Sequence, residues 1–264
     1  MRLGLFVWLG ARSCVFAFSV FAALAVSQVF TFGLPRYDFL FVSLVIVQMA
    51  MYLLRLETLE EIKFITIFHL VGFVLEQFKT HLGSWAYPEF GFTKIAGVPL
   101  YSGFMYAAVG SCIAQAWRLM RVQLLMPPQS WLSWGLGALI YLNFFTNAVL
   151  PDARYPLMLS VLIVYWHTRL EVRLGVSSVY RAPVAVLFAL LGGLIWIAEN
   201  IATYFGAWVY PYQTGGWRIV DFSKVSSWML LVIISFILVQ QLKHRAKPKR
   251  PPEEPSRNTP RVEG

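Results

Sequence analysis

Long apolar runs without period-two alternation constrain this chain more than any other feature. They fall at 14–33, 38–54, 64–83, 98–117, 131–150, 155–168, 183–205 and 225–242. Crossing a hydrocarbon layer of about 30 Å takes roughly 20 apolar residues as a helix, or about 9 to 11 as a barrel strand. The lack of alternation selects the helix. The expected fold is all-α, a polytopic transmembrane bundle of about eight spans, with 155–168 the shortest. The stretch 3–9 is too short to span and is expected to continue or flank the first helix. Hydrophobic residues make up 58% of the chain and charged ones 13%, so lipid is the solvent this surface suits.

The net charge of +9 would suit a nucleic-acid binder, but its placement argues against nucleic acid and for a bilayer. Of the 22 Lys and Arg residues, only Arg36, Lys79, Lys94, Arg154, Arg218 and Lys224 fall in one set of alternate loops; the others fall in the opposite set. Such a bias sets topology with the basic side inside, which predicts that both termini are cytoplasmic. A cleaved signal peptide is the competing reading of the first 30 residues, since Arg2 precedes an apolar run containing Ala23 and Ala25. The tail 243–264 carries mixed charge, many prolines and no apolar period. It reads as disordered, with a basic start suited to anionic headgroups. Cys14 and Cys112 lack metal-site spacing or an evident partner and read as small hydrophobes.

The chain also repeats itself. Glu76-Gln-Phe-Lys-Thr80-His-Leu-Gly83-Ser-Trp85-Ala-Tyr87-Pro88 returns as Glu199-Asn-Ile-Ala-Thr203-Tyr-Phe-Gly206-Ala-Trp208-Val-Tyr210-Pro211, with six identities in thirteen positions at a constant offset of 123. Upstream, Ser27, Thr31, Leu34 and Pro35 have the spacing of Asn143, Asn147, Leu150 and Pro151, and Arg55-Leu-Glu57 answers Arg169-Leu-Glu171. The repeat reaches back to Ser27, which favours a retained first helix. The expected organisation is one four-span repeat over 1–126, a second over 127–242, and the tail. An even number of spans gives both copies one orientation, related by a pseudo-twofold axis along the membrane normal.

Chemistry is expected where the repeat places acids in lipid. Glu76 and Glu199 stand seven residues before the glycines that close their helices, roughly 10 Å inside the outer end. A carboxylate at that depth faces the bundle interior or a wet cavity and is usually functional. Symmetry could bring the pair face to face and let them share a proton. The plainer alternative is that each accepts hydrogen bonds between helices. His69 lies on the same face without a counterpart, as a proton-exchange candidate or a packing residue. Thr80, Thr203, Trp85, Trp208, Tyr87 and Tyr210 follow the acids as candidate substrate contacts, the W-x-Y-P segments serving as a cavity rim or as an interface belt. Asn143 and Asn147 lie one turn apart as glue between spans or orienters of the glutamates. The glycines of these faces read as packing positions, Pro35 and Pro151 as helix ends, and the R-L-E triplets as local ion pairs. No motif implies a metal or a cofactor.

The stretch His69 to Trp117, with Glu76, Gly83-Ser-Trp85-Ala-Tyr87-Pro88-Glu89, Gly97-Val98-Pro99-Leu100 and Ser102-Gly103-Phe104-Met105-Tyr106, resembles the YoaT-like family of uncharacterised bacterial integral membrane proteins. That resemblance covers the chain except its tail; it implies the bacterial inner membrane and no particular activity. A shorter similarity, W-x-Y then Gly then G-V-P, resembles the membrane-embedded carotenoid cyclases and hydratases, which protonate double bonds of isoprenoid chains. Those carry an acidic pair soon after the proline, where Leu100, Tyr101 and Ser102 stand here; Glu60-Glu61 lies elsewhere. Three functions stay open at this level. The first is an enzyme using the glutamates for acid–base chemistry on an apolar, isoprenoid-like lipid. The others are a transporter coupling the same pair to protons or a cationic solute, and a structural or partner-binding membrane protein. The substrate and the oligomeric state are not legible.

Overall fold

The computed structural model describes residues 2–147, 149–174 and 178–245. In chain order it contains α1 (Arg2–Ser13), α2 (Val15–Val26), α3 (Arg36–Leu53), α4 (Leu59–His81), β1 (Lys94–Ile95), β2 (Val98–Pro99), α5 (Ser102–Leu119) and β3 (Gln123–Leu125). There follow α6 (Ser130–Thr146), α7 (Arg154–Val164), β4 (Arg169–Leu174), β5 (Ser178–Pro183), α8 (Val184–Tyr204) and α9 (Lys224–Arg245). The chain is mostly helical, and a helix occupies each apolar run. Three helices, α3, α8 and α9, are long and apolar enough to cross a membrane; α1 with α2 makes a fourth if that bent pair is one span. The tail from 246 onward lies outside the described residues.

Hydrogen bonds between loops sort the connections onto two ends of the bundle. At one end Arg36 reaches Gly206 O at 3.1 Å, Lys79 reaches Asn147 Oδ1 at 2.9 Å, and Ala86 pairs with Val209. At the other, Arg118 holds Glu61 at 2.9 Å and Leu56 O at 2.7 Å, while β3 pairs with β4. Two large buried apolar clusters form the core of the described residues, with a small third one where Phe64 and Phe68 of α4 meet Ala114 of α5 and Val239 of α9. One gathers α2 to α5 with residues from 202 to 220. The other gathers α6 to α9 with β4. α5 and α9 meet between them, with Trp117 and Phe236 ring centroids 5.5 Å apart.

Residues 3–9 belong to α1, a helix that flanks α2 at 62° and does not continue it straight. Other expectations need correction. The break falls at Cys14, whose sulfur is bonded to that of Cys112 on α5, with the Cα atoms 4.7 Å apart. The cysteines are therefore partners, and a broken helix is present where the apolar pattern reads as continuous. Pro35 and Pro151 do not end the preceding helices. α2 stops at Val26, where Ser27 Oγ turns back onto Leu24 O at 2.7 Å, and Pro35 instead caps the start of α3. α6 likewise stops at Thr146.

The fold is also not purely helical. β3, β4 and β5 form an antiparallel three-stranded sheet, and β1 pairs with β2. The sequence Arg169-Leu-Glu-Val-Arg173 permits a strand because Leu170 and Val172 enter the second cluster. Of the two R-L-E triplets only the second forms a local ion pair among the described residues, and not with its own arginine. Glu171 is held by Arg173 and Arg181, at 2.8 and 2.9 Å. The bond from Arg181, then that from Arg173, keeps its carboxyl below the ordinary glutamate range. Glu57 instead accepts from Ser111, Gln48 and Gln115. Glu61 closes a capping box, receiving the Thr58 N–H at 2.9 Å while Thr58 Oγ1 accepts from Glu61 N at 3.3 Å.

Candidate functional site

The repeated segment ends two helices in the same way. Gly83 and Gly206 both sit at positive φ, 69° and 64°, just past the last turns of α4 and α8. Only glycine adopts that conformation without strain, and it lets the chain fold back on the helix. The closing bonds match too: Ser84 N to Lys79 O and Ala207 N to Ala202 O, each 3.0 Å. The reversed segments then meet. Ala86 and Val209 exchange both backbone hydrogen bonds, 2.9 Å each, in an antiparallel bridge. These two residues are themselves 123 apart, so the bridge joins equivalent positions.

Folding back brings aromatic donors onto the glutamates. Glu76 is 3% exposed; its Oε2 accepts from Trp85 Nε1 and the Tyr87 hydroxyl, both at 2.7 Å, and its Oε1 accepts from the Tyr106 hydroxyl at 2.6 Å. Glu199 is 2% exposed and accepts from the Tyr210 hydroxyl and Trp228 Nε1. In each half a tyrosine eleven residues on from the acid donates to it, and the next helix, α5 or α9, supplies a further donor. The tryptophans of the repeat diverge: Trp85 donates to Glu76, whereas the indole of Trp208 lies against the Tyr210 hydroxyl rather than on Glu199. Burial, with the adjacent carboxylate second, pushes the phenols of Tyr87 and Tyr210 well up, so both stay protonated donors.

Both glutamates line one cavity of about 460 Å³, a volume typical of small-molecule sites. α2, α4, α5, α8 and α9 form its walls, mostly with apolar side chains such as Phe21, Leu75, Ile113, Leu191 and Leu231, and the Cys14–Cys112 bridge lies in it. Two lining residues in mid-helix, Phe18 on α2 and Leu194 on α8, are 57% and 59% exposed, so the cavity opens sideways between those helices. Lys79, Lys224, Arg154 and Asn147 join the glutamates at its polar end. Glu199 is close enough for its charge to act on Glu76. The acids do not lie on packed faces of α4 and α8, however; both line the cavity that these helices share.

The other sequence candidates divide. Trp85, Trp208, Tyr210 and Asn147 line the cavity, and Tyr87 touches it through Glu76. His69 lies apart from it, against Phe104 and under Gly103, with its Nδ1 unpartnered. Thr80 Oγ1 is buried without a partner, and Thr203 hydrogen-bonds within its own helix and to Trp217. Asn143 binds Asp152 and the Ala153 N–H, at 3.1 and 3.0 Å, and so shapes the turn into α7 rather than orienting a glutamate. Sequence reasoning missed Tyr106, Trp228, Lys79 and Lys224. The first two stand outside the repeated block, where periodicity gives no hint of an acid as partner. Among the described residues no three His, Cys, Asp or Glu side chains gather as a metal would need.

These features define a class: a mostly helical protein with three to four apolar helices of membrane length and a carboxylate-bearing apolar cavity. The chain belongs to the family described as Protein of unknown function (DUF817), which matches residues 2–236. It is 51% identical over 239 residues to the protein described as Uncharacterized protein YoaT from Bacillus subtilis (strain 168), across 90% of both chains. The YoaT-like resemblance is thus family membership, whereas the likeness to carotenoid cyclases rests on its few residues alone. Among solved structures, a crystal structure of a cross-linked MvINS trimer aligns with a TM-score of 0.52 at 13% identity, covering 73% of this chain and 98% of that one. That similarity concerns the fold.

Proposed function

We propose that this chain is an eight-span protein of the bacterial plasma membrane with both termini in the cytoplasm. In this reading two parallel four-span units, 1–126 and 127–242, hold an apolar, isoprenoid-like substrate between them, with Glu76 and Glu199 as acid and base. One observation carries the chemistry: two buried carboxylates, each held by tyrosine and tryptophan donors, face one apolar cavity that opens sideways between α2 and α8. Such a mouth suits entry from lipid. A protonated carboxyl shielded from water can add its proton to a double bond, and a carboxylate across the cavity can take one from a neighbouring carbon, so that protons and charge balance over the cycle. The pseudo-twofold arrangement is supported by the bridge between Ala86 and Val209, which are equivalent in the repeat. The inward basic bias supports the orientation.

The bend between α1 and α2, at Cys14, lies in the wall of the same cavity together with α2 and favours transport as a second reading, because broken helices are common at transporter sites. Comparing lipid-soluble metabolites in a deletion strain with those in a complemented one separates the two. An apolar precursor that accumulates on deletion is the expected result; unchanged lipids with altered solute uptake would sink the enzyme reading. Topology is checked by reporter fusions after Arg121, Pro151 and Lys243, which should read inside, outside and inside. A periplasmic signal at Lys243 contradicts the span count and the parallel repeat together.

A further inference from the structure

Acid–base chemistry at the glutamates leaves two cations of the cavity without a task. Arg154 is occupied, pairing with Asp152 at 2.5 Å and reaching Ser226 Oγ at 3.2 Å. Lys79 and Lys224 are different: among the described residues neither has an ion-pair partner. Lys79 Nζ donates to the neutral Asn147 Oδ1 at 2.9 Å. Lys224 Nζ lies over the rings of Tyr210 and Trp85, 4.9 and 5.9 Å from their centroids. Of the carboxylates, Glu199 acts most strongly on Lys224, yet its two oxygens already accept from Tyr210 and Trp228. An ammonium has three donors, and a cation held partly out of water with no carboxylate in ion-pair contact is costly. Past these two lysines the walls turn apolar, through Phe21, Leu75, Ile113, Leu191, Ile195 and Leu231.

A charged end joined to an apolar trough has the shape of an amphiphile. Resting on the reading of this cavity as a site for apolar molecules, we propose that its ligand is a single-chain lipid with one acidic head group, a carboxylate or a phosphate monoester. The head sits between Lys79 and Lys224, and the tail lies along the apolar wall toward the opening between α2 and α8. This places the carbons next to the head beside Glu76 and Glu199. The cavity, about 460 Å³, accommodates one such chain rather than the two of a phospholipid.

The test uses the purified full chain in neutral detergent, with binding measured by calorimetry. The probes are geranylgeranyl monophosphate against geranylgeraniol, oleate against oleyl alcohol, and inorganic phosphate alone. The acidic member of at least one pair should bind roughly tenfold or more tightly than its alcohol. Lys79→Met and Lys224→Met should each shrink that ratio without changing the alcohol's affinity, and Lys224→Arg should largely keep it. Equal affinities within both pairs would overturn the head-group site while leaving the apolar cavity standing. Failure of every chain-bearing probe to bind would sink both readings. Inorganic phosphate binding as tightly as the monophosphate would make this a small-anion site and refute the amphiphile. Should the Met variants not fold, the ratios measured on the native protein still decide.

Discussion

If the glutamates act as the proposed acid and base, Glu76→Gln and Glu199→Gln are each expected to cut turnover by about 10²- to 10⁴-fold, the usual span for a lost general acid or base, while the protein stays folded and inserted. The geometry explains why the fold should survive. At Glu76 the glutamine oxygen can take the place of Oε2, which receives Trp85 and Tyr87, leaving the amide nitrogen to face the Tyr106 oxygen. An indole N–H can only donate, but a phenol can turn its hydroxyl and accept. At Glu199 the oxygen would stay on Trp228 and the nitrogen would face Tyr210, which turns in the same way. Each replacement leaves one buried phenol O–H in need of a new acceptor, a cost of about 1–3 kcal/mol, so thermal unfolding in detergent should fall modestly without loss of the fold. Equal losses in a complemented deletion strain would mean one shared proton site; unequal losses would mean that the halves have specialised, a difference already present in the extra donor on Glu76. Full activity in either variant would remove that residue from the chemistry.

How far the sequence could be read follows from which signals are local. The apolar runs located the helices because burial in lipid depends on composition over a window, and that signal survives without knowledge of neighbours. The offset of 123 exposed the paired glutamates and their tyrosines because identical residues at identical spacing fold back identically, through Gly83 and Gly206. What stayed hidden depends on contacts across the chain. Tyr106 and Trp228 reach the acids from other helices. Cys14, where α1 breaks from α2, is bonded to Cys112, 98 residues away. Of the strands β3 to β5, only β4 alternates charged residues with Leu and Val, over six positions, too short a stretch to compete with the helical period around it, and β3 and β5 carry no alternation at all. Arg36 is a further case. As one of the few basic residues on its side it reads as a loop charge. It instead ties Ser27, Glu89 and the carbonyls of Phe205 and Gly206 together, joining the first half of the chain to the end of α8.

Gly72→Ala should be the most disruptive small substitution in the bundle, and it links packing to the site. A Cβ added at Gly72 would lie 2.4 Å from Cγ of Tyr106, well inside contact distance. Neither partner can yield cheaply, because Tyr106 is buried and bound to Glu76 while Gly72 sits in the middle of α4 against α5. Either the helices separate or the tyrosine leaves the glutamate. Overpacking of this kind costs about 1–3 kcal/mol, so the unfolding temperature should fall, and turnover should fall with it because the Oε1 donor is displaced. Gly193→Ala is the matched control. It lies in α8 with nothing within 4 Å of the added carbon, and removing a mid-helix glycine there should be neutral or stabilising by up to about 1 kcal/mol. Comparing the two by thermal unfolding in one detergent isolates the close approach of α4 and α5 from helix propensity. Adding Tyr106→Phe, which keeps the ring but removes the hydroxyl, separates packing from hydrogen bonding: it should lose activity without the drop in stability seen for Gly72→Ala. If Gly72→Ala unfolds no earlier than Gly193→Ala, the packing of α4 on α5 is looser than this geometry requires, and Tyr106 is not fixed on Glu76 by that contact.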